Sequence, residues 1–455
     1  DDALDSPAVT AALEAVRQSG RSQPTRRPAP TITPWRRERG YDQMAEPSLA
    51  YRLLALFRLW NAVHYFFPYK ELMDRPWEDY LPAFLPRFAA AGDALAYATS
   101  VAEAAAWLQD SHAGVQSAVL DRHLGTHVPA LQVQWIEGQS VVTRVLPDVL
   151  PTSVVAVGDV VVAVDGAPVQ VRREHLGRLR AASTPQALAW LVHRRLLAGP
   201  EGSQAEIGVR KPGGEEARVT LPRVYPFAAA PFPPSRPVFS VLEEGYGYVD
   251  LTQLTVPQVD AAFEAIRQTP AVIFDMRGQS HGVFWLLARR LGTHSVPATR
   301  FRIPEPRGPS PDTVGAWTGV QWTLPSRNPW TIVQWTPPSS GWRYTGRVVV
   351  LINEAAVSQA EHTCLFLEAA SDATFVGSAT HGANGNVTEV ALPGGMMVRF
   401  TGLDVRHADG RQLQRVGILP HLEVHPTIAG IRAGRDEVLE AAVAYLQAGT
   451  PRPPG

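Results

Sequence analysis

RVVVLINEAAVSQAE, Arg347 to Glu361, runs an unbroken apolar and largely β-branched segment from Val348 to Ile352 into helical spacing from Ala360 through Thr363, Leu365 and Leu367. The expected structure is a buried strand that turns straight into a helix, with Ser358 at the junction. Unpaired backbone N–H groups and the positive end of the helix dipole collect at such a turn, where they stabilise a developing oxyanion. The same position suits a serine that merely caps the helix. Taken alone, the motif leaves both roles open.

Outward from this stretch, strands and helices alternate from Val238 to the C-terminus, the pattern of an α/β core, behind a proline-rich linker at Tyr225 to Pro237. Between Ile303 and Trp342, eight prolines and five of the chain's twelve tryptophans interrupt the alternation. Two readings fit: a lid or wall over a binding site, with Trp317, Trp322 and Trp330 touching substrate, or an insertion packed on the core. A second strand-to-helix junction makes Ser280 a rival nucleophile. Gly278-Gln279-Ser280-His281-Gly282 has the glycine spacing of an α/β-hydrolase elbow, with His407, His421, His425, Asp372 and Asp404 downstream as possible partners.

Upstream, residues 126–224 read as short strands ending in a pair around KPGGEE. Residues 46–125 are helical and aromatic-rich. Residues 1–45 combine a short helix with a tether that carries four prolines and six arginines between 21 and 40. The 455 residues suffice for two or three domains. Forty-two basic residues nearly balance forty-three acidic ones, so no global field marks a nucleic-acid or membrane-surface partner. No apolar run approaches the roughly 20 residues that span a bilayer. The single cysteine, Cys364, excludes an intrachain disulfide and reads as a small core residue. The first residue, Asp1, points to a removed leader and so to a periplasmic or secreted location, with a cytoplasmic one still open.

Several segments, in order, carry a resemblance. FDMRGQSHG, VVVLINEAAVSQAEH, ATFVGSATHGANG and VGILPHLEV resemble the oxyanion loop, nucleophile, second-strand and Gly-Ile-x-Pro segments of the serine peptidases that include the C-terminal processing peptidases and the tricorn core. WNAVHYFFPY, RPWEDYL and LQDSHAG resemble that family's N-terminal helical region, and GDVVVAVDGAPV resembles its PDZ domain. The likeness spans roughly residues 50 to 450. It implies a multidomain α/β protein with an N-terminal helical region, a PDZ-like β-rich module and a crotonase-like catalytic core that cleaves peptide bonds without a cofactor. A PDZ-like module would capture peptide by strand addition, with PALQV, Pro129 to Val133, nearest to a carboxylate loop.

Matched position by position, the resemblance makes Ser358 the nucleophile. Gln359, Gly282 and His281 become the oxyanion hole, with His281 standing where the family has glycine. Ser280 then lies in the oxyanion loop. One branch of the family uses a lysine base after the second strand, but this chain has Gly382-Ala383-Asn384-Gly385 there and lysine only at 70 and 211. The other branch uses a Ser-His pair far upstream, which Ser111-His112 matches, with Ser111 expected to orient the imidazole. Its glutamate, three residues before the Gly-Ile-x-Pro glycine, is Gln414 here, which hydrogen-bonds but cannot stabilise an imidazolium by charge. His421 and His425 lie in a strand-like segment without a completing ligand, and no metal is assigned. Two other functions stay open: an esterase or amidase using Ser358 or Ser280, and a non-catalytic binder resembling the family's retinoid-binding relatives.

Overall fold

The computed structural model describes residues 41–146, 155–227, 232, 234–302, 331–339 and 341–449; the basic tether and Trp317, Trp322 and Trp330 lie outside them. Helices α1 (Leu49–Phe66), α2 (Tyr80–Ala90) and α3 (Ala94–Ala106) bury the aromatic residues concentrated there. Tyr80 and Phe84 meet at 4.9 Å and Phe88 and Tyr97 at 5.9 Å between ring centroids. Asp93 caps α3 by accepting the Ala96 N–H at 2.7 Å. A tight turn then leads into a short strand, β1 (Gly114–Gln116).

The middle module is an antiparallel sheet of β2 (Leu131–Ile136), β3 (Gln139–Val145), β4 (Val160–Val164), β5 (Gln204–Arg210) and β6 (Glu216–Pro222), in that order. Asp165-Gly166, with φ 52° and 77°, turns the chain out of β4. Two helices lie between β4 and β5, α4 (Val169–Arg178) and α5 (Pro185–Arg195). The latter starts where Thr184 caps the Ala187 N–H and proline takes the first helical position. Helix α5 packs against β2, the edge strand of this sheet.

The C-terminal part starts with β7 (Phe239–Val241), β8 (Gly247–Asp250), α6 (Val259–Ala265), β9 (Ala271–Met276) and α7 (Phe284–Leu291). Strands β10 (Pro297–Arg302) and β11 (Thr331–Trp335) pair antiparallel, so the described end of the Pro/Trp-rich insert is a strand against its neighbour. There follow β12 (Arg347–Ile352), α8 (Gln359–Ala370), β13 (Thr374–Gly377), β14 (Val387–Leu392), β15 (Met396–Thr401), β16 (Asp404–His407), β17 (Leu422–Glu423) and α9 (Glu437–Gln447). The main sheet runs β7-β8-β9-β12-β13-β17 and is parallel apart from β7.

β12 is apolar throughout because both of its faces are covered. Val348, Val350 and Ile352 pack with residues of α6, α7 and α8, while Val349 and Leu351 pack with Leu439, Ala442 and Leu446 of α9. Strands β14 and β15 leave this sheet. They form a separate sheet in which β15 pairs with both β14 and β1, placing Gly114 opposite Arg399 and Val115 opposite Val398, and Val390, Val398 and Phe400 enter the same core as the N-terminal helices. The domain drawn at 46–125 is thus completed by strands from residues 387–401.

Candidate active site

Ser358 follows the carboxyl end of β12, the edge at which parallel α/β sheets bind ligands. Its backbone is strained, with φ 58° and ψ −112°, a conformation that costs a non-glycine residue about 1–3 kcal/mol. Two contacts hold it there. The Ser358 N–H donates to the Ala383 carbonyl at 2.8 Å, and the Glu361 carboxylate reaches back to the same N–H at 3.3 Å. Glu361 is fully buried and also accepts from the Thr380 hydroxyl at 2.6 Å and the backbone N–H groups of Gly382 and Ala383 at 2.7 and 3.0 Å. It thereby fastens the loop after β13 to the serine turn. Burial pushes its carboxyl pKa up to about 7 against the pull of these donors.

The loop after β9 closes the other side. Gly282 has φ 75°, and a Cβ on it would lie 3.0 Å from the Gln359 side-chain nitrogen, so the two expected oxyanion positions adjoin. Among the described residues no hydrogen-bond acceptor takes the N–H of Gly282 or of Gln359. His281 is exposed. Ser280 is buried and bonded to the Thr363 hydroxyl at 3.1 Å; that hydroxyl donates its own proton to the Gln359 carbonyl, so Ser280 is the donor.

His112 arrives from the turn between α3 and β1. Its Nδ1 lies 2.8 Å from the Thr401 hydroxyl, at the end of β15. The Nδ1 partner is therefore Thr401, and Ser111 is bonded elsewhere. Its N–H donates to the Ser183 hydroxyl at 2.9 Å and its own hydroxyl accepts the Ser183 N–H at 2.8 Å. Burial lowers the His112 pKa, Asp110 opposes this and Arg399 adds to it, leaving the imidazole neutral at neutral pH.

His381 lies in the loop that holds Ser358, and its N–H donates to the Ala356 carbonyl at 3.0 Å. The His112 turn reaches this loop through Ser183, which bonds Ser111, and Thr184, which donates to the His381 carbonyl at 3.0 Å. His381 donates from Nδ1 to the Glu354 carbonyl at 2.7 Å, and burial lowers its pKa to about 4. Gln414 is buried, and its amide nitrogen donates to Asp110 at 3.1 Å and to Ser183 at 3.2 Å.

The model of peptidase family S41 matches residues 245–424. That segment, which holds Ser358, is similar to the S41 peptidases. Among solved structures, that of mature CPAF complexed with lactacystin aligns at a TM-score of 0.64 and 15% identity, covering 88% of this chain and 98% of that one. A putative peptidase from Parabacteroides merdae aligns at a TM-score of 0.53 and 16% identity, covering 89% and 98%. At such identities the likeness shows the shared fold. Among curated proteins none matches this sequence.

The two lysines lie away from the serine turn. Lys70 bonds the His64 carbonyl, and Lys211 pairs with Asp159 of the middle module at 2.7 Å. His421 accepts the Phe375 N–H at 2.9 Å, and His425 pairs with Glu423 at 3.0 Å on the surface. A cavity of about 860 Å³ runs between edge strand β2, helix α5 and the carboxyl edge of the main sheet, reaching from Leu131 and Trp135 past Trp190 to Arg277 and Glu354. Ser358 and His112 are not in its lining, but Glu354 lies in the loop leading to the serine.

Glu361, Asp110, Thr401 and His381 were missed in the sequence. Glu361 had a signal, since Ser-x-x-Glu before a helix is a capping box. Asp110 had a weaker one, standing two residues before His112 where an aspartate caps a turn. Nothing local marked Thr401.

Proposed function

We propose that this protein is a serine peptidase that cleaves peptide bonds through an acyl-enzyme on Ser358, with His112 as general base. The observation that carries the reading is the strained Ser358 turn at the carboxyl edge of a parallel sheet, next to the Gly282 and Gln359 N–H groups, which no acceptor takes among the described residues. In the first step the Ser358 hydroxyl passes its proton to His112 Nε2 as its oxygen bonds to the substrate carbonyl carbon. The carbonyl electron pair moves to oxygen, which the Gly282 and Gln359 N–H groups stabilise. Collapse breaks the C–N bond, and His112 returns the proton to the departing amine. Water then attacks the ester by the same route, and Ser358 is regenerated.

The groove between β2 and α5 supplies substrate capture: an extended peptide adds to the edge of β2 and is directed along the cavity towards Glu354. A fluorophosphonate probe tests the nucleophile. Labelling of the wild-type chain, abolished in Ser358→Ala and slowed by about 10³-fold or more in His112→Ala, is the expected result. Label on Ser280 would transfer the nucleophile, and a chain that takes no label and cleaves no peptide would be a binder on this fold.

A further inference from the structure

The carboxylate that this chain lacks at Gln414 has a counterpart two residues before His112. Asp110 is fully buried, and among the described residues it forms no salt bridge. Every group bonded to it is a donor: the Thr401 N–H at 2.7 Å, the Thr401 hydroxyl at 2.8 Å, the Gln414 amide nitrogen at 3.1 Å and the His112 N–H at 3.2 Å. The carboxylate is thus the common acceptor that ties the His112 turn to the end of β15 and to Gln414.

The Thr401 hydroxyl has one proton and gives it to Asp110. Its lone pair therefore faces His112, so Nδ1 must carry the imidazole proton and Nε2 is left as the basic nitrogen.

Building on the Ser358–His112 reading, we propose that Asp110, acting through the Thr401 hydroxyl, is the positioning residue that fixes the His112 tautomer and stabilises its imidazolium, in place of the carboxylate absent at 414. When His112 takes the Ser358 proton at Nε2, its positive charge is joined to the Asp110 carboxylate by Nδ1–H and Thr401 O–H bonds in series, and no further proton moves. The same geometry accounts for glutamine at 414. Its amide nitrogen is a donor that Asp110 needs, whereas a glutamate would set a second buried carboxylate against the first. The charged and titratable groups facing this relay are Arg399 on β15, His381 in the loop after β13, and Tyr69 before α2.

Two readouts on the full chain test the proposal: the rate of fluorophosphonate labelling against pH, and the histidine tautomer read by ¹⁵N NMR in a Ser358→Ala background. Asp110→Asn is expected to lower the plateau rate by about 10- to 100-fold and to move the apparent pKa of the profile down, since Asp110 raises that of His112. Thr401→Val is expected to slow labelling similarly and to release the tautomer, while Thr401→Ser, which keeps the hydroxyl, stays within about threefold of wild type.

A purely structural Asp110 would give a less stable protein whose folded fraction keeps the wild-type profile and tautomer, and that result overturns the proposal. So would a Gln414→Glu variant that labels tenfold faster than wild type. A wild-type chain that takes no label but keeps the fixed Nδ1–H tautomer would remove the peptidase reading and leave the relay standing.

Discussion

Glu361 and His112 are held at opposite extremes by the same physical cause. Burial disfavours the charged form of each, raising the pKa of a carboxyl group and lowering that of an imidazole. For Glu361 the folded value of about 7 lies above the ordinary 4.5, so its contribution to stability is fully present below pH 4.5 and is lost as pH rises through 7. The loss amounts to roughly 3 kcal/mol. Comparing the unfolding free energies of wild type and Glu361→Gln between pH 4.5 and 8 should show this slope in the wild type and not in the variant. His112 must be neutral to act as base, and its lowered pKa places the acid limb of the labelling profile below pH 6.5 with a plateau above. An acid limb centred above 6.5 would count against His112 as the base. At this scale the Ser358 turn was legible because it is written in its immediate neighbours, a strand before and a helix after. Its pairing with Ala383 was not, because a hydrogen bond to a loop about twenty-five residues on leaves no periodic trace.

The strand-to-helix turns after β9 and β12 meet only because those strands are parallel neighbours, with Met276 opposite Ile352. That register sets Gly282 beside Gln359. Gly282→Ala puts a methyl group 3.0 Å from the Gln359 nitrogen in a backbone conformation with φ 75°. The left-handed conformation alone costs about 1–2 kcal/mol for a residue with a Cβ. Labelling is expected to slow by about tenfold as the two N–H groups are displaced, with the melting temperature lowered only slightly; an unchanged labelling rate would remove Gly282 from the oxyanion hole. Both turns were readable from the sequence as elements, since each joins an apolar run to a helical period. Helix α5 was equally marked by Thr184-Pro185, yet the alternation around it drew the eye to strands. Its use as the wall of a groove depends on β2 being an edge strand, which is a property of the sheet.

Across the molecule, the site is assembled from three separated parts of the chain: the His112 turn, the loop before α5, and the core. The β1–β15 pairing brings residue 112 to residue 401, and Ser183, from the middle module, bonds both Ser111 and Gln414. Thr184 continues this seam by donating to the His381 carbonyl at 3.0 Å, and Trp190 meets the His381 ring at 5.4 Å. The module that walls the groove is thus bonded to the loops that hold Ser358 and His112. Ser183→Ala removes an acceptor from two buried donors and is expected to cost about 1–3 kcal/mol and to slow labelling, because the His112 turn loses its anchor. A variant that is destabilised but labels at the wild-type rate would show that the seam serves folding alone. The order of motifs along the chain carried the resemblance to the S41 peptidases and the expectation of Ser358 as nucleophile without a lysine base, since each of these rests on residues adjacent in sequence. Only the tertiary structure decided what His112 leans on. The imidazole and its hydroxyl partner lie almost three hundred residues apart, and a hydrogen bond across that separation exists only once strand pairing has closed the chain upon itself.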